Sequence, residues 1–232
     1  MDSLKSGTIK IGSSRKNPRT VVTDSNGEYT TEEILASEFG GEYIIEAALV
    51  SKPSLKDTVH IFVRVPGLEL LPTNNNIYNK IGGTEKHYGP PRTGEDHNHW
   101  GTRALDIAIV NLSLSWYNKF SNVPRLQIND MSLPFGGLFD YDTAWQTPHN
   151  THRTGDCVDI QSKFMFGERF YDANRNGWYD KGVDILNDNN HNGQFDGGQL
   201  ILFKQQTIHQ FTTVKLELPP VTKNEHWHLI KR

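Results

Sequence analysis

Apolar residues in the first part of the chain recur with the two-residue period of β-strands. Residues 43–50 (YIIEAALV) and 59–65 (VHIFVRV) are apolar, β-branched runs, and in the second run the apolar side chains alternate with the intervening positions. Turn-forming residues separate the runs, as at residues 52–54 (KPS). Short strands with turns between them predict an antiparallel sandwich over residues 1–70.

A longer apolar stripe with helical spacing follows and predicts one clear helix over about residues 102–120, with Thr102 as its N-cap. Further short apolar runs predict strands at 125–128, 157–161, 200–203, 212–218 and 227–230. One helix among several strands indicates an α+β fold with a central antiparallel sheet and few helices. Pro- and Asn-rich residues 66–76 form the predicted linker, so we place the second domain at 71–232.

Composition excludes some classes of protein. The chain has 232 residues and a formal net charge of -3, so it lacks the basic field of nucleic-acid-binding proteins. It contains no apolar run long enough to predict a membrane span. The sequence begins without the apolar core of a signal peptide, and its one cysteine, Cys157, allows no internal disulfide. Abundant Asn, Asp, Gly and Thr nevertheless favour a secreted, periplasmic or cell-surface protein.

Histidines and acids in two distant segments have the composition of a metal site. His152 and Asp159 are separated by a glycine turn, and His226 and His228 share one face of the last predicted strand. A catalytic zinc ion takes three ligands from His, Asp, Glu or Cys and leaves a fourth position for water. The two segments together therefore predict a zinc hydrolase site.

Four segments in the same order resemble the group of lysostaphin-type, D-alanyl-D-alanine carboxypeptidase and hedgehog-type zinc peptidases, and most of all the penicillin-insensitive murein endopeptidases. They are residues 98–101 (NHWG), 129–137 (NDMSLPFGG), 149–160 (HNTHRTGDCVDI) and 226–228 (HWH). The resemblance implies a zinc metallopeptidase that cleaves an amide bond in a peptidoglycan peptide. The zinc ligands it implies are His152, Asp159 and His228.

The same resemblance implies catalytic roles for His226, Glu225 and His149. His226 would stand beside the metal, and His149 would orient Asp159 or the substrate. Glu225 occupies the position of the Glu base of the carboxypeptidases, whereas the endopeptidases have an Asp there and a His two residues earlier. That earlier position is Lys223 here, so the general base is either Glu225 or His226, and endopeptidase and carboxypeptidase action both remain open.

An Asp/Asn/Gly-rich insertion over residues 167–198 contains a repeat with the oxygen-donor spacing of calcium loops. The first repeat offers Asp172, Asn174, Asn176, Trp178 (through its carbonyl) and Asp180, and the second offers Asp188, Asn190, Asn192, Gln194 (through its carbonyl) and Asp196. Position 12, which carries a bidentate Glu in the complete motif, is Val183 or Gln199, so either Asp184 replaces it in the first loop or the two loops share ligands. We predict structural calcium ions here.

These residues fit two functions from different classes. The first is zinc-dependent hydrolysis of peptidoglycan or another peptide, without nucleic-acid partners. The second is a non-catalytic extracellular adhesin or binding module with structural zinc and calcium sites. Residues 23–50 favour the surface location in either case, because they resemble bacterial immunoglobulin-like repeats of surface proteins.

Overall fold

The computed structural model describes residues 10–11, 19–30, 34–36, 38–81, 98–138, 149–174, 176, 178–217 and 226–231. The strands are β1 (Lys10–Ile11), β2 (Ile34–Leu35), β3 (Gly41–Leu49), β4 (Lys52–Val63), β5 (Leu68–Leu70), β6 (Tyr78–Lys80), β7 (Trp100–Thr102), β8 (Leu126–Ile128), β9 (Cys157–Gln161), β10 (Arg169–Tyr171), β11 (Ile185–Asn187), β12 (Thr213–Glu217) and β13 (His226–Ile230). The helices are α1 (Arg103–Lys119), a 3-10 helix (His149–Thr154) and α2 (Gly198–Thr207). This mixture confirms the α+β class.

Five strands between residues 78 and 230 form one sheet in the order β12-β13-β9-β8-β6. All neighbours pair antiparallel except β6 and β8, which are parallel. Alternate residues of β9 and β13, among them Val158, Ile160, Trp227 and Leu229, belong to the buried hydrophobic core. The residues between them therefore point to the opposite face of the sheet.

Helix α1 supplies much of that core, as its apolar stripe predicts. The hydroxyl of Thr102 accepts a hydrogen bond from the Leu105 amide at 3.3 Å, so the predicted N-cap is confirmed. Trp116 is buried and meets Phe203 of α2 edge-on, with ring centroids 5.5 Å apart. In the described residues, no helix is long and apolar enough to cross a membrane.

The predicted strand at residues 200–203 is wrong, because these residues lie in α2. Leu200, Phe203, Lys204 and Thr207 are the buried residues of this helix, and they follow one another at helical spacing. A four-residue apolar run is too short to distinguish a strand from one turn of a buried helix.

The described part of residues 1–70 contains two separate two-stranded sheets. Strands β3 and β4 form a long hairpin, and β1 pairs with β2. Apolar side chains of the hairpin are exposed, such as Ile44 at 60% and Val59 at 59%. The immunoglobulin-like sandwich therefore stays a prediction. Strand β5 (Leu68–Leu70) pairs with β7, which lies in the predicted second domain.

Candidate metal centre

The sheet and the turn before it bring the predicted zinc ligands together. His152 lies in the 3-10 helix, Asp159 lies in β9, and His228 is its direct cross-strand partner in β13. Gly155 makes the turn between the 3-10 helix and β9 with φ +71, where a Cβ would collide with Leu68. The close approach explains why glycine occupies this turn.

Three imidazoles surround the single carboxylate of Asp159. His228 Nδ1 lies 2.8 Å from Oδ1, while His152 Nε2 and His226 Nε2 each lie 3.4 Å from Oδ2. His152, Asp159 and His228 are buried, with 2%, 3% and 5% of their surface exposed. One ligand atom from each of these three residues lies within 4.8 Å of the other two, so the group could hold a metal ion.

Interactions within this cluster lower the pKa of Asp159 and raise the pKa of His152. Burial acts to raise the pKa of Asp159, but His152, His228 and His226 outweigh burial and hold that pKa far below its usual value. Burial likewise acts to lower the pKa of His152, and the nearby Asp159 carboxylate raises it above the ordinary value instead. A fixed anion ringed by imidazoles is a suitable set of ligands for a divalent cation.

Asp130, Asn98 and Met131 support the cluster from behind, and no site role had been predicted for them. The Asn98 amide donates to Asp130 Oδ1 at 2.8 Å, and the Asp159 amide donates to the Asp130 carbonyl at 2.8 Å. Asp130 and a backbone hydrogen bond to Met131 also raise the pKa of His152. Asp130 and Met131 belong to the segment 129–137 and Asn98 to the segment 98–101, both of which carry the resemblance but predict no role at the site.

The other predicted catalytic residues are described unequally. The His226 side chain is 19% exposed and lies beside Asp159. Glu225 lies outside the described residues, and His149 is described only as part of the 3-10 helix. His99, in the segment 98–101, is buried, and its Nε2 lies 3.1 Å from the Ile128 carbonyl oxygen.

The insertion folds into two loops with matching hydrogen bonds. In the first loop, Asp172 Oδ1 accepts from the Asn176 amide at 3.1 Å, and in the second Asp188 Oδ1 accepts from the Asn192 amide at 3.2 Å. The other matched bonds join the side-chain amides of Asn174 and Asn176 to Asp180, and those of Asn190 and Asn192 to Asp196. The sequence repeat is thus also a structural repeat.

Each loop is closed by a buried acid that lies outside its own core motif. Asp184 accepts the amides of residues 173 and 180 at 2.9 and 2.7 Å, whereas Glu168 accepts those of residues 189 and 196 at 3.0 and 2.8 Å. These are positions 2 and 9 of the two loops. Glu168 lies four residues before the first Asp of the first loop, and Asp184 lies four residues before that of the second, so the repeat begins earlier than predicted. Each repeat thus supplies the acid that accepts the amides of the other repeat's loop.

Equivalent aromatic residues pack the two loops against each other. Tyr179 and Phe195 both occupy position 8, and their ring centroids are 5.1 Å apart. Phe170 of β10 contacts both rings, at 5.7 and 5.1 Å. At position 7, the backbone amides of Trp178 and Gln194 each donate to the side-chain oxygen of the Asn at position 5, at 2.7 Å. The loops therefore form one paired unit.

The sequence was also compared with known proteins. Neither the family models nor the curated proteins gave a match.

Proposed function

We propose that this chain is a zinc-dependent peptidase that hydrolyses amide bonds in peptidoglycan peptides outside the cytoplasm. The observation that carries the proposal is the convergence of His152, Asp159 and His228 within 4.8 Å, with His226 beside them. The four ordered sequence segments that resemble murein endopeptidases support the choice of metal and substrate.

Two imidazoles and one carboxylate match the ligands of catalytic zinc sites, in which the fourth position stays open. A zinc ion held there would supply Lewis acidity and lower the pKa of the water it binds. Asp159 would keep its charge over the working pH range, because its pKa is held low by the surrounding histidines. Asp130 and Asn98 would fix the segment that contacts His152.

His226 would move the proton. Its Nε2 lies 3.4 Å from Asp159 Oδ2 and its ring is more exposed than those of His152 and His228, so it can reach both the metal ligands and a bound peptide. Glu225 stays the alternative base from the sequence. Proton transfer by either group assists departure of the leaving amine.

A turnover assay tests this proposal. The protein is stripped with chelator, reloaded with one equivalent of zinc and incubated with purified peptidoglycan, and the peptides released are separated by mass spectrometry. We expect release by the zinc-loaded protein and none by the stripped protein or by Asp159→Asn. Zinc binding without release of any peptide would favour the adhesin alternative.

For the insertion, we propose two calcium ions, one in each loop. The repeated Asp-x-Asn-x-Asn-Gly-x-x-Asp motif supplies the ligand spacing, and the exchanged acids Asp184 and Glu168, which already bond the loop amides, would supply the carboxylate that position 12 lacks. Strands β10 and β11 flank the first loop, and the second lies between β11 and α2, so neither has the helix–loop–helix arrangement of a calcium sensor. A role in holding the insertion rigid, at the millimolar calcium of extracellular fluids, fits the motif.

A further inference from the structure

Lys215 of the edge strand β12 lies in the same cross-strand row as two proposed zinc ligands. Lys215 pairs with His228, and His228 pairs with Asp159 in the next strand. Residues directly opposite each other in antiparallel strands place their side chains on the same face, with Cβ atoms about 5 Å apart. The lysine stem therefore begins beside the proposed zinc site.

The neighbours of Lys215 confirm which face it occupies. Val214 and Leu216 pack against the hydrophobic core on the helix side, so the side chain between them points to the metal side. Lys215 is exposed, and none of the residues that the structure describes forms a hydrogen bond or ion pair with its ammonium. A flexible cation at the rim of the site is thus available to a bound molecule.

We propose that Lys215 binds a free carboxylate of the substrate, located within one residue of the amide bond that is cleaved. This inference rests on the proposed function and adds the chemical class of the substrate. A divalent ion held by the single Asp159 carboxylate leaves a net positive charge, and the ammonium adds another on the same face. A peptide that carries an anion next to its reacting carbonyl complements both charges, and an ammonium and a carboxylate form a charge-assisted hydrogen bond.

Paired substrates test this specificity. The zinc-loaded protein is assayed on an acyl-D-alanyl-D-alanine peptide and on the same peptide as its C-terminal carboxamide, with kcat and KM measured separately. We expect the wild-type protein to prefer the acid by roughly tenfold in kcat/KM. Lys215→Met should raise KM for the acid by about the same factor and leave the carboxamide unchanged, while Lys215→Arg should keep most of the preference.

A matched control removes a lysine from the opposite side of the sheet. Lys119→Met, at the end of α1, should leave both KM values as they are. Zinc content should be the same in all four proteins, because Lys215 is not a ligand. Equal kinetics for acid and carboxamide in the wild type, or a Lys215→Met protein with an unchanged preference, would overturn the proposal.

A binding experiment separates this inference from the proposed function. Phosphinate analogues of the two peptides cannot be hydrolysed, and their dissociation constants are measured by calorimetry on the zinc-loaded proteins. If the protein cleaves neither peptide yet binds the acid analogue about tenfold more tightly than Lys215→Met does, the peptidase proposal fails and the carboxylate site stands. If cleavage occurs but Lys215→Met has no effect on either measurement, the peptidase proposal stands and the carboxylate site fails.

Discussion

The histidines at the candidate site differ in exposure, and we propose that this difference separates cation ligands from proton-transfer groups. His152 and His228 are almost completely enclosed next to Asp159, whereas His226 approaches the same carboxylate from a more open position. Enclosure favours a fixed ligand geometry, and access to solvent favours proton exchange. The two classes of histidine should therefore respond differently to substitution.

The His226→Asn variant tests this division. Because its ring lies outside the group of three converging ligands, we expect zinc content to stay at the wild-type level. Loss of a proton-transfer group should lower kcat by about 10²–10⁴-fold. Zinc content is measured by elemental analysis and kcat with the peptide substrate. Loss of zinc together with activity would instead make His226 a ligand, and unchanged kcat would make Glu225 the better candidate for the base.

Asp106, in the first turn of α1, predicts a pH dependence of stability. Burial raises the pKa of this carboxyl to about 7, Glu69 adds to the increase, and Lys80 opposes it. The folded protein therefore favours the protonated acid, so this contribution to stability is complete below the unfolded pKa of 3.8 and is lost as pH rises through about 7.

Replacing the acid with its neutral isostere removes that loss. We expect Asp106→Asn to be more stable than the wild-type protein at pH 8, by roughly 1–3 kcal/mol in the free energy of unfolding, and nearly equal to it at pH 4. Urea unfolding at the two pH values measures the difference. Asp57→Asn, an exposed carboxyl in β4, is the control and should change neither value. A destabilised Asp106→Asn protein at pH 8 would contradict the assignment.

At the level of elements, the paired loops of the insertion behave as one unit because each contributes the acid that closes the other. Tyr179 and Phe195 join them through their rings. A calcium ion in one loop should therefore stabilise both. We expect millimolar calcium to raise the melting temperature of the wild-type protein by several degrees, since ligands that bind only the folded state stabilise it.

The exchanged acids give that prediction its specific test. Glu168→Gln and Asp184→Asn keep the shape of each side chain but remove the charge of a proposed ligand, so each should reduce the calcium-dependent increase in melting temperature. Val183→Ala, at the exposed position 12 that the complete motif would use, should not reduce it. Thermal scans with calcium and with chelator provide the measurement. Equal calcium responses in all four proteins would rule out ions at these two acids.

The elements that could be predicted from the sequence are those with a strong local signal. The 3.6-residue stripe and the Thr102 cap identify α1, and β9 and β13, which carry Asp159 and His228, lie where the sequence predicts strands at 157–161 and 227–230. Glu168 could not be found in the same way, because it closes a loop that begins twenty residues later. Asp130 acts on His152 only after the sheet has formed, so its role is likewise non-local.

For the whole molecule, the central sheet has the hydrophobic core on one face and the candidate metal site on the other. Val158 and Ile160 of β9 face the helices, while Asp159 between them faces the site. Alternation within one strand thus allows the metal side to carry polar residues without disturbing the core. Substitutions of the proposed ligands should consequently change metal binding far more than they change the fold.

We propose that His152, Asp159 and His228 bind one zinc ion with a coordination position open to solvent. Titration of the metal-free protein with cobalt(II), a spectroscopic substitute for zinc, measures both features in one experiment. We predict one equivalent bound by the wild-type protein, displaced by zinc, with a visible spectrum that shifts when a small anion such as azide is added. Asp159→Asn should show no tight binding. Failure of the wild-type protein to bind cobalt or zinc, or equal binding by Asp159→Asn, would contradict the account.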